Sequence, residues 1–108
     1  MSETDLKLLR AAGVESTFPA GQIVIERGQP GSGVFLILEG EVVVEAREGL
    51  LEFGAGAVIG ERALLAEDGR RTARVRALTD VRVVAVTREM FDELCAGDPG
   101  LAERLAAG

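Results

Sequence analysis

The sequence predicts a mainly β fold, a glycine-punctuated sandwich or roll with short helices at both ends. Three observations point there. Between Val14 and Thr87, short runs rich in Val, Ile and Leu recur, each broken by Gly, Pro or Asp. The 14 glycines fit one turn per strand pair rather than disorder, because the segments between them are strongly apolar. Outside this stretch the apolar spacing changes to a helical period.

The elements follow in order. Ser2 is a helix N-cap, with Glu3 and Asp5 in the first turn where the helix dipole favours acids. Leu6 and Leu9 lie three apart and Gly13 ends the segment, which predicts a helix over 2–12. The β region runs over 14–87. Ile23 and Ile25 alternate with polar neighbours. The runs 34–39 and 41–46 flank Gly40, and Leu50 to Phe53 form another. The runs 72–78 and 81–86 complete the set. Thr87 then caps a helix whose apolar face is Met90, Phe91, Leu94 and Cys95. Asp98 and Pro99 restart a helix as N-cap and first helical residue, and Leu101, Ala102, Leu105 and Ala106 repeat the facial pattern. The C-terminal helices are thus expected over 88–107.

With 108 residues, the chain has material for a single domain over 1–108 with a real core. Composition excludes several function classes. There is no His and one Cys, Cys95, which removes His-dependent triads, His- or Cys-rich metal sites and an intrachain disulfide. Aromatics are 4% with no Trp or Tyr, too few for stacking platforms that hold single-stranded nucleic acid. The net charge of −6 repels nucleic acid and anionic membranes. No basic segment leads into an apolar run at the N-terminus, no stretch is long enough to span a bilayer, and the lone Cys fits the cytoplasm.

The chemistry concentrates in residues 59–73. Gly60, reached through Gly54-Ala55-Gly56, lets a ligand approach the backbone closely. Residues 61–66 suit one helical turn, whose first N–H groups would face an anion. Glu67-Asp68-Gly69 turns the chain back, and Arg71 and Thr72 open the next strand. A guanidinium is the donor best matched to a phosphate. Glu61 beside such a site makes sense as an acceptor for a ribose hydroxyl. Phosphate donors with a ribose acceptor describe a nucleoside monophosphate. Taken singly, each residue has a plainer reading. Gly60 is a turn glycine, Glu61 a solvated acid, Thr72 a strand former and Cys95 a packing residue. Arg70, Arg74 and Arg76 read as one charged strand face. Arg71 does not, because of its place in the run.

The run Ile59-Gly60-Glu61-Arg62-Ala63-Leu64, followed by Arg70-Arg71-Thr72-Ala73, resembles the phosphate-binding cassette of the cyclic nucleotide-binding domain family. Phe18 to Ile23 looks like the strand by which that family enters its roll, Arg27 to Gly31 like its first turn, and Phe35 to Gly40 like its central hairpin. The resemblance implies an antiparallel, jelly-roll-like β-roll with the cassette at 59–73. It also implies that Arg71 pairs with the cyclic phosphate and Glu61 takes the ribose 2′-hydroxyl. Gly60, Ala63 and Leu64 would give the short helix and its backbone donors, and Thr72 with Ala73 would close the phosphate end. Arg62 stands where many relatives carry Leu or Met, pointing to solvent or leaning toward the ligand. The family usually continues into a long helix that lids the base, whereas the last helix here is barely two turns.

These readings imply a non-enzymatic regulatory module for a cyclic nucleotide, cAMP in preference to cGMP, with no cofactor and no metal. The expected partners are that small molecule and a protein effector or second copy, with no membrane and no nucleic acid for this chain alone. The competing class is a ligand-free β-roll that docks a protein through Met90, Phe91, Leu94, Leu101 and Leu105.

Overall fold

The computed structural model describes residues 2–29, 33–60, 71 and 73–107. Helix α1 (Glu3–Ala12) is followed by β1 (Val14–Phe18), β2 (Ile23–Ile25), β3 (Gly33–Glu39), β4 (Val42–Ala46), β5 (Gly49–Phe53) and β6 (Val58–Ile59). Then come β7 (Arg74–Ala77), β8 (Val81–Thr87), α2 (Arg88–Gly97) and α3 (Leu101–Ala107). The strands form two four-stranded antiparallel sheets. Sheet A has the order β1-β8-β3-β6 and sheet B the order β2-β7-β4-β5. This is the β-roll expected from the sequence.

The two ladders explain the strand patterns. In β8, Val81 and Val83 face sheet B while Val84 and Val86 face the helices, and all four are buried. Strand β3 divides the same way, with Val34 and Leu36 toward the helices and Phe35 and Ile37 toward sheet B. Sheet A is therefore apolar on both faces, which writes nearly continuous apolar runs. One core, Ile25, Ile37, Val42, Ile59, Val75, Ala77, Val81 and Val83, lies between the sheets. The other, Leu9, Val34, Leu36, Val84, Val86, Phe91 and Leu101, joins sheet A to the helices.

The N-terminal helix is capped as anticipated. Ser2 Oγ accepts from the Asp5 N–H, and the Asp5 carboxylate accepts from the Ser2 N–H, a reciprocal capping box. Thr87 caps α2 by accepting from the Met90 N–H. Two boundaries differ from the sequence reading. The last helix starts at Leu101, not at Pro99, because Asp98 ends α2 by donating its N–H to Leu94 O and Pro99-Gly100 form a turn. The segment Phe18–Ile23 is not one strand: β1 ends at Phe18, a turn follows Pro19, and β2 begins at Ile23. Four of the five apolar residues expected on a docking face belong to the core or pack against it, and the Leu105 side chain lies outside the described residues. Phe91 and Leu101 are buried, and Met90, Leu94 and Cys95 pack against the same cluster. Among the described residues no helix is long and apolar enough to cross a membrane.

Candidate functional site

The β2–β7 ladder pairs Ile25 with Val75 and then continues beyond both strands. The Arg71 N–H donates to Gln29 O at 2.8 Å, and Arg71 O accepts from the Gly28 N–H at 2.9 Å. Two backbone bonds thus fix Arg71 against the 26–29 turn. Its side chain turns inward, leaving the residue 8% exposed, rare for a cationic side chain. There Nη1 donates to Gly60 O at 2.8 Å. Gly60 follows β6 at the edge of sheet A, so one guanidinium ties the extension of sheet B to the end of sheet A.

Gly60 has to be glycine for two reasons. Its φ of +90° lies in the left-handed region, and a Cβ there would stand 2.6 Å from Arg71 Nη1 and 3.2 Å from Gly33 O. The close approach of arginine and backbone is possible only without a side chain. A guanidinium carries five N–H donors in a planar fork, the geometry that matches an anion bidentately.

Beside this end of the roll, the inward face of sheet B forms an apolar floor. Across the strands one row runs Ile25, Val75, Val44, Leu51, and the next runs Ala77, Val42, Phe53. Ile25, Val75, Ala77 and Val42 are buried, whereas Leu51 is 52% and Phe53 38% exposed. The floor therefore opens toward β5. The sequence reading took residues 50–53 as one run and missed this face. The signal was there: Leu51 and Phe53 flank Glu52 at strand period, in phase with Val42 and Val44 across the hairpin.

Of the expected ligand residues, Gly60 and Arg71 meet, and Ala73 is half-buried just ahead of β7. Glu61, Arg62, Ala63, Leu64 and Thr72 lie outside the described residues, as does Arg70. Arg74 and Arg76 occupy the outer face of sheet B, as the alternation requires. Arg74 Nε contacts Glu26 Oε1 at 2.8 Å, and both arginines lie 3.8 Å from Glu45. The Arg74 hydrogen bond lowers the Glu26 carboxyl below its usual range, and the same bond raises Arg74. The contribution of Gly28 and Gln29 in holding Arg71 could not be read from sequence, since it depends on which strand lies beside residue 71.

Residues 15–98 match the family described as the cyclic nucleotide-binding domain. The chain belongs to this family. It is 38% identical over 87 residues to a cyclic nucleotide-gated potassium channel of Mesorhizobium japonicum, covering 81% of this chain and 24% of the channel. It is 47% identical over 74 residues to the cGMP-dependent protein kinase egl-4 of Caenorhabditis elegans, covering 67% of this chain and 9% of the kinase. The chain thus spans a quarter or less of these relatives. Among solved structures, one reported under "A cyclic-GMP-dependent signalling pathway regulates bacterial phytopathogenesis" superposes with a TM-score of 0.85 at 27% identity. That match covers 99% of this chain and 89% of the other. The ligand class of this family is cAMP or cGMP.

Proposed function

We propose that this cyclic nucleotide-binding domain is a non-catalytic sensor that takes cAMP in preference to cGMP. The observation that carries the reading is the buried Arg71 guanidinium held beside the positive-φ Gly60, where the β2–β7 ladder of the apolar floor is extended. Arg71 pairs with the cyclic phosphate, a single anion suited to one planar fork. Glu61 accepts from the ribose 2′-hydroxyl. Gly60, Ala63 and Leu64 supply backbone donors, and Thr72 and Ala73 close the phosphate end. Arg62, polar where apolar residues are usual, lies at the rim of the same segment. Val44, Leu51 and Phe53 give the nucleoside an apolar surface. The sequence holds no His to act as a base near neutral pH, in keeping with binding rather than hydrolysis. A protein effector reads the bound state through the flanking helices, because a ligand shifts an equilibrium only by contacting two states differently.

Titration calorimetry against cAMP, cGMP and 5′-AMP tests this. Wild type binds a cyclic nucleotide. Arg71→Ala weakens binding about tenfold to a hundredfold, the loss of a charged hydrogen-bonding partner of roughly 1.5–3 kcal/mol. Arg74→Ala leaves it unchanged, and Thr72→Ala costs cGMP more than cAMP. Equal losses at Arg71 and Arg74 would indicate a diffuse basic patch, and no heat with either cyclic nucleotide would end the sensor reading.

A further inference from the structure

The two sheets have four edge strands, and they are not equally protected. Strands β2 and β6 are three and two residues long. Strand β1 is polar over Glu15, Ser16 and Thr17, and Glu15 is engaged by Arg82 at 3.3 Å. Strand β5 differs from all three. Its five residues, Gly49–Phe53, are all exposed and carry one charge, Glu52. Leu50 is 71%, Leu51 52% and Phe53 38% exposed. It has no Lys, Pro or bulge, the devices by which exposed edges usually avoid pairing.

The hairpin fixes which backbone groups this edge offers. Arg47 and Glu48 form a two-residue turn closed by the pair Ala46 and Gly49. In such a hairpin the closing pair is hydrogen-bonded, so Gly49, Leu51 and Phe53 direct their N–H and C=O groups at β4. Leu50 and Glu52 direct theirs outward. A second β5 can therefore pair antiparallel only where outward-directed residues meet one another, which leaves three central registers. A two-fold axis at Leu50 sets Glu52 against the partner's Glu48, and an axis at Glu52 sets that carboxylate against its own copy. Both oppose like charges, which is unfavourable across strands. An axis at Leu51 opposes none. There Leu50 faces the partner's Glu52 in both directions, Leu51 faces the partner's Leu51, and Phe53 lies over the partner's Gly49.

We infer that β5 is a self-complementary edge through which two copies of this domain pair antiparallel about Leu51, joining the two B sheets into one. The ladder gains four backbone hydrogen bonds, and on the inward face Leu51 and Phe53 gain the partner's Leu51 and Gly49 as cross-strand neighbours. Pairing opposes two net charges of −6, so added salt, which shortens the range of that repulsion, tightens it. No step depends on the cyclic nucleotide, and the test needs none.

Sedimentation velocity of the ligand-free chain, from micromolar to submillimolar concentration, gives a concentration-dependent dimer that strengthens with salt. Leu51→Lys places two ammonium groups across the axis and raises the dimer dissociation constant by about tenfold or more. Leu50→Lys places its ammonium opposite the partner's Glu52 and keeps or tightens the dimer. Both positions are exposed, and circular dichroism checks that each variant folds. In a Cys95→Ser background, Leu51→Cys cross-links under mild oxidation, because directly opposed strand residues lie within disulfide reach. Glu52→Cys, offset from its own copy, does not. A chain that stays monomeric throughout overturns the inference. So does a dimer indifferent to Leu51→Lys, or one lost equally with Leu50→Lys.

Discussion

Sheet A and sheet B have four strands each, yet they use their faces in opposite ways. The central strands of sheet A, β3 and β8, are buried on both sides, against helices through Val34, Leu36, Val84 and Val86 and against sheet B through Ile37, Val81 and Val83. Sheet B buries one side only. Its other side carries Arg74, Arg76, Glu26 and Glu45, and its inward side is left open toward β5. The stable sheet thus scaffolds the fold, while the half-covered sheet presents the apolar floor, the backbone that holds Arg71 and a free edge. Covering a sheet twice leaves no surface to bind with.

The largest effect that tests this contrast is in the helix–sheet A core. Leu101 is fully buried among Leu9, Val84, Val86 and Phe91. Leu101→Ala should destabilise the fold by about 2–5 kcal/mol, the usual cost of a lost transfer term plus a cavity. Ile23→Ala, on the edge of sheet B and 36% exposed, should cost about 0.5 kcal/mol. Chemical denaturation of both variants checks the pair. Equal costs would mean that sheet B carries as much of the fold as sheet A.

A smaller effect separates backbone strain from close approach at the site. Gly60 and Gly28 both have positive φ, +90° and +83°. Alanine at either position should cost about 1–2 kcal/mol of stability from left-handed backbone alone. Only at Gly60 does the new Cβ also meet the Arg71 guanidinium, whereas at Gly28 it meets nothing within 4 Å among the described residues. Gly60→Ala should therefore weaken cyclic nucleotide binding well beyond Gly28→Ala and melt at the lower temperature of the two. Calorimetry and thermal melts on the two variants decide it. Matched affinity losses would show that Arg71 is sensitive to strain in either turn, not to the space beside Gly60.

What was legible in the sequence follows the same division. The continuous runs of β3 and β8, the alternation of β7, and the caps at Ser2 and Thr87 are local signals, and the structure places all of them as expected. The outward direction of Arg74 and Arg76 followed from strand period. Strand β6 was not legible, since two residues carry no period. The start of α3 was misread because Asp98-Pro99 is equally good helix-start and helix-stop chemistry, and the Asp98 N–H bond to Leu94 O settles which. At the site, the order of residues in 59–73 singled out Arg71 and Gly60, but the backbone grip of Gly28 and Gln29 is a tertiary fact. So is the role of Asp5, read as a helix-dipole acid. Its carboxylate is also held by Arg104, 99 residues away, through Nε and Nη2 at 2.9 Å each.

The smallest effects expected are electrostatic, and they too should differ between the two sides of the molecule. Asp5 is almost fully buried, hydrogen-bonded to Arg104 and to the Ser2 N–H, and Arg104 reaches on to Asp98. The Arg104 hydrogen bond, ahead of the cost of burial, holds the Asp5 carboxyl well below its ordinary 3.8. A carboxyl depressed in the folded state stabilises the fold fully above its unfolded value, and that contribution is lost as pH falls through the folded value. Wild type should lose stability as pH drops below about 3.8. Asp5→Asn should be less stable than wild type at neutral pH, lose less on acidification, and converge with it in strong acid. Glu26 on the outer face of sheet B is lowered in the same direction, first by its hydrogen bond to Arg74. That pair is over a third exposed on both sides, so solvent screens it. Glu26→Gln should therefore shift the acid limb less than Asp5→Asn and leave neutral-pH stability close to wild type. Denaturant midpoints between pH 2 and pH 7, a range spanning ordinary carboxylate titration, measure both. A Glu26→Gln effect as large as that of Asp5→Asn would mean the exposed face of sheet B is held by its charges, and the two sheets would differ less than their burial implies.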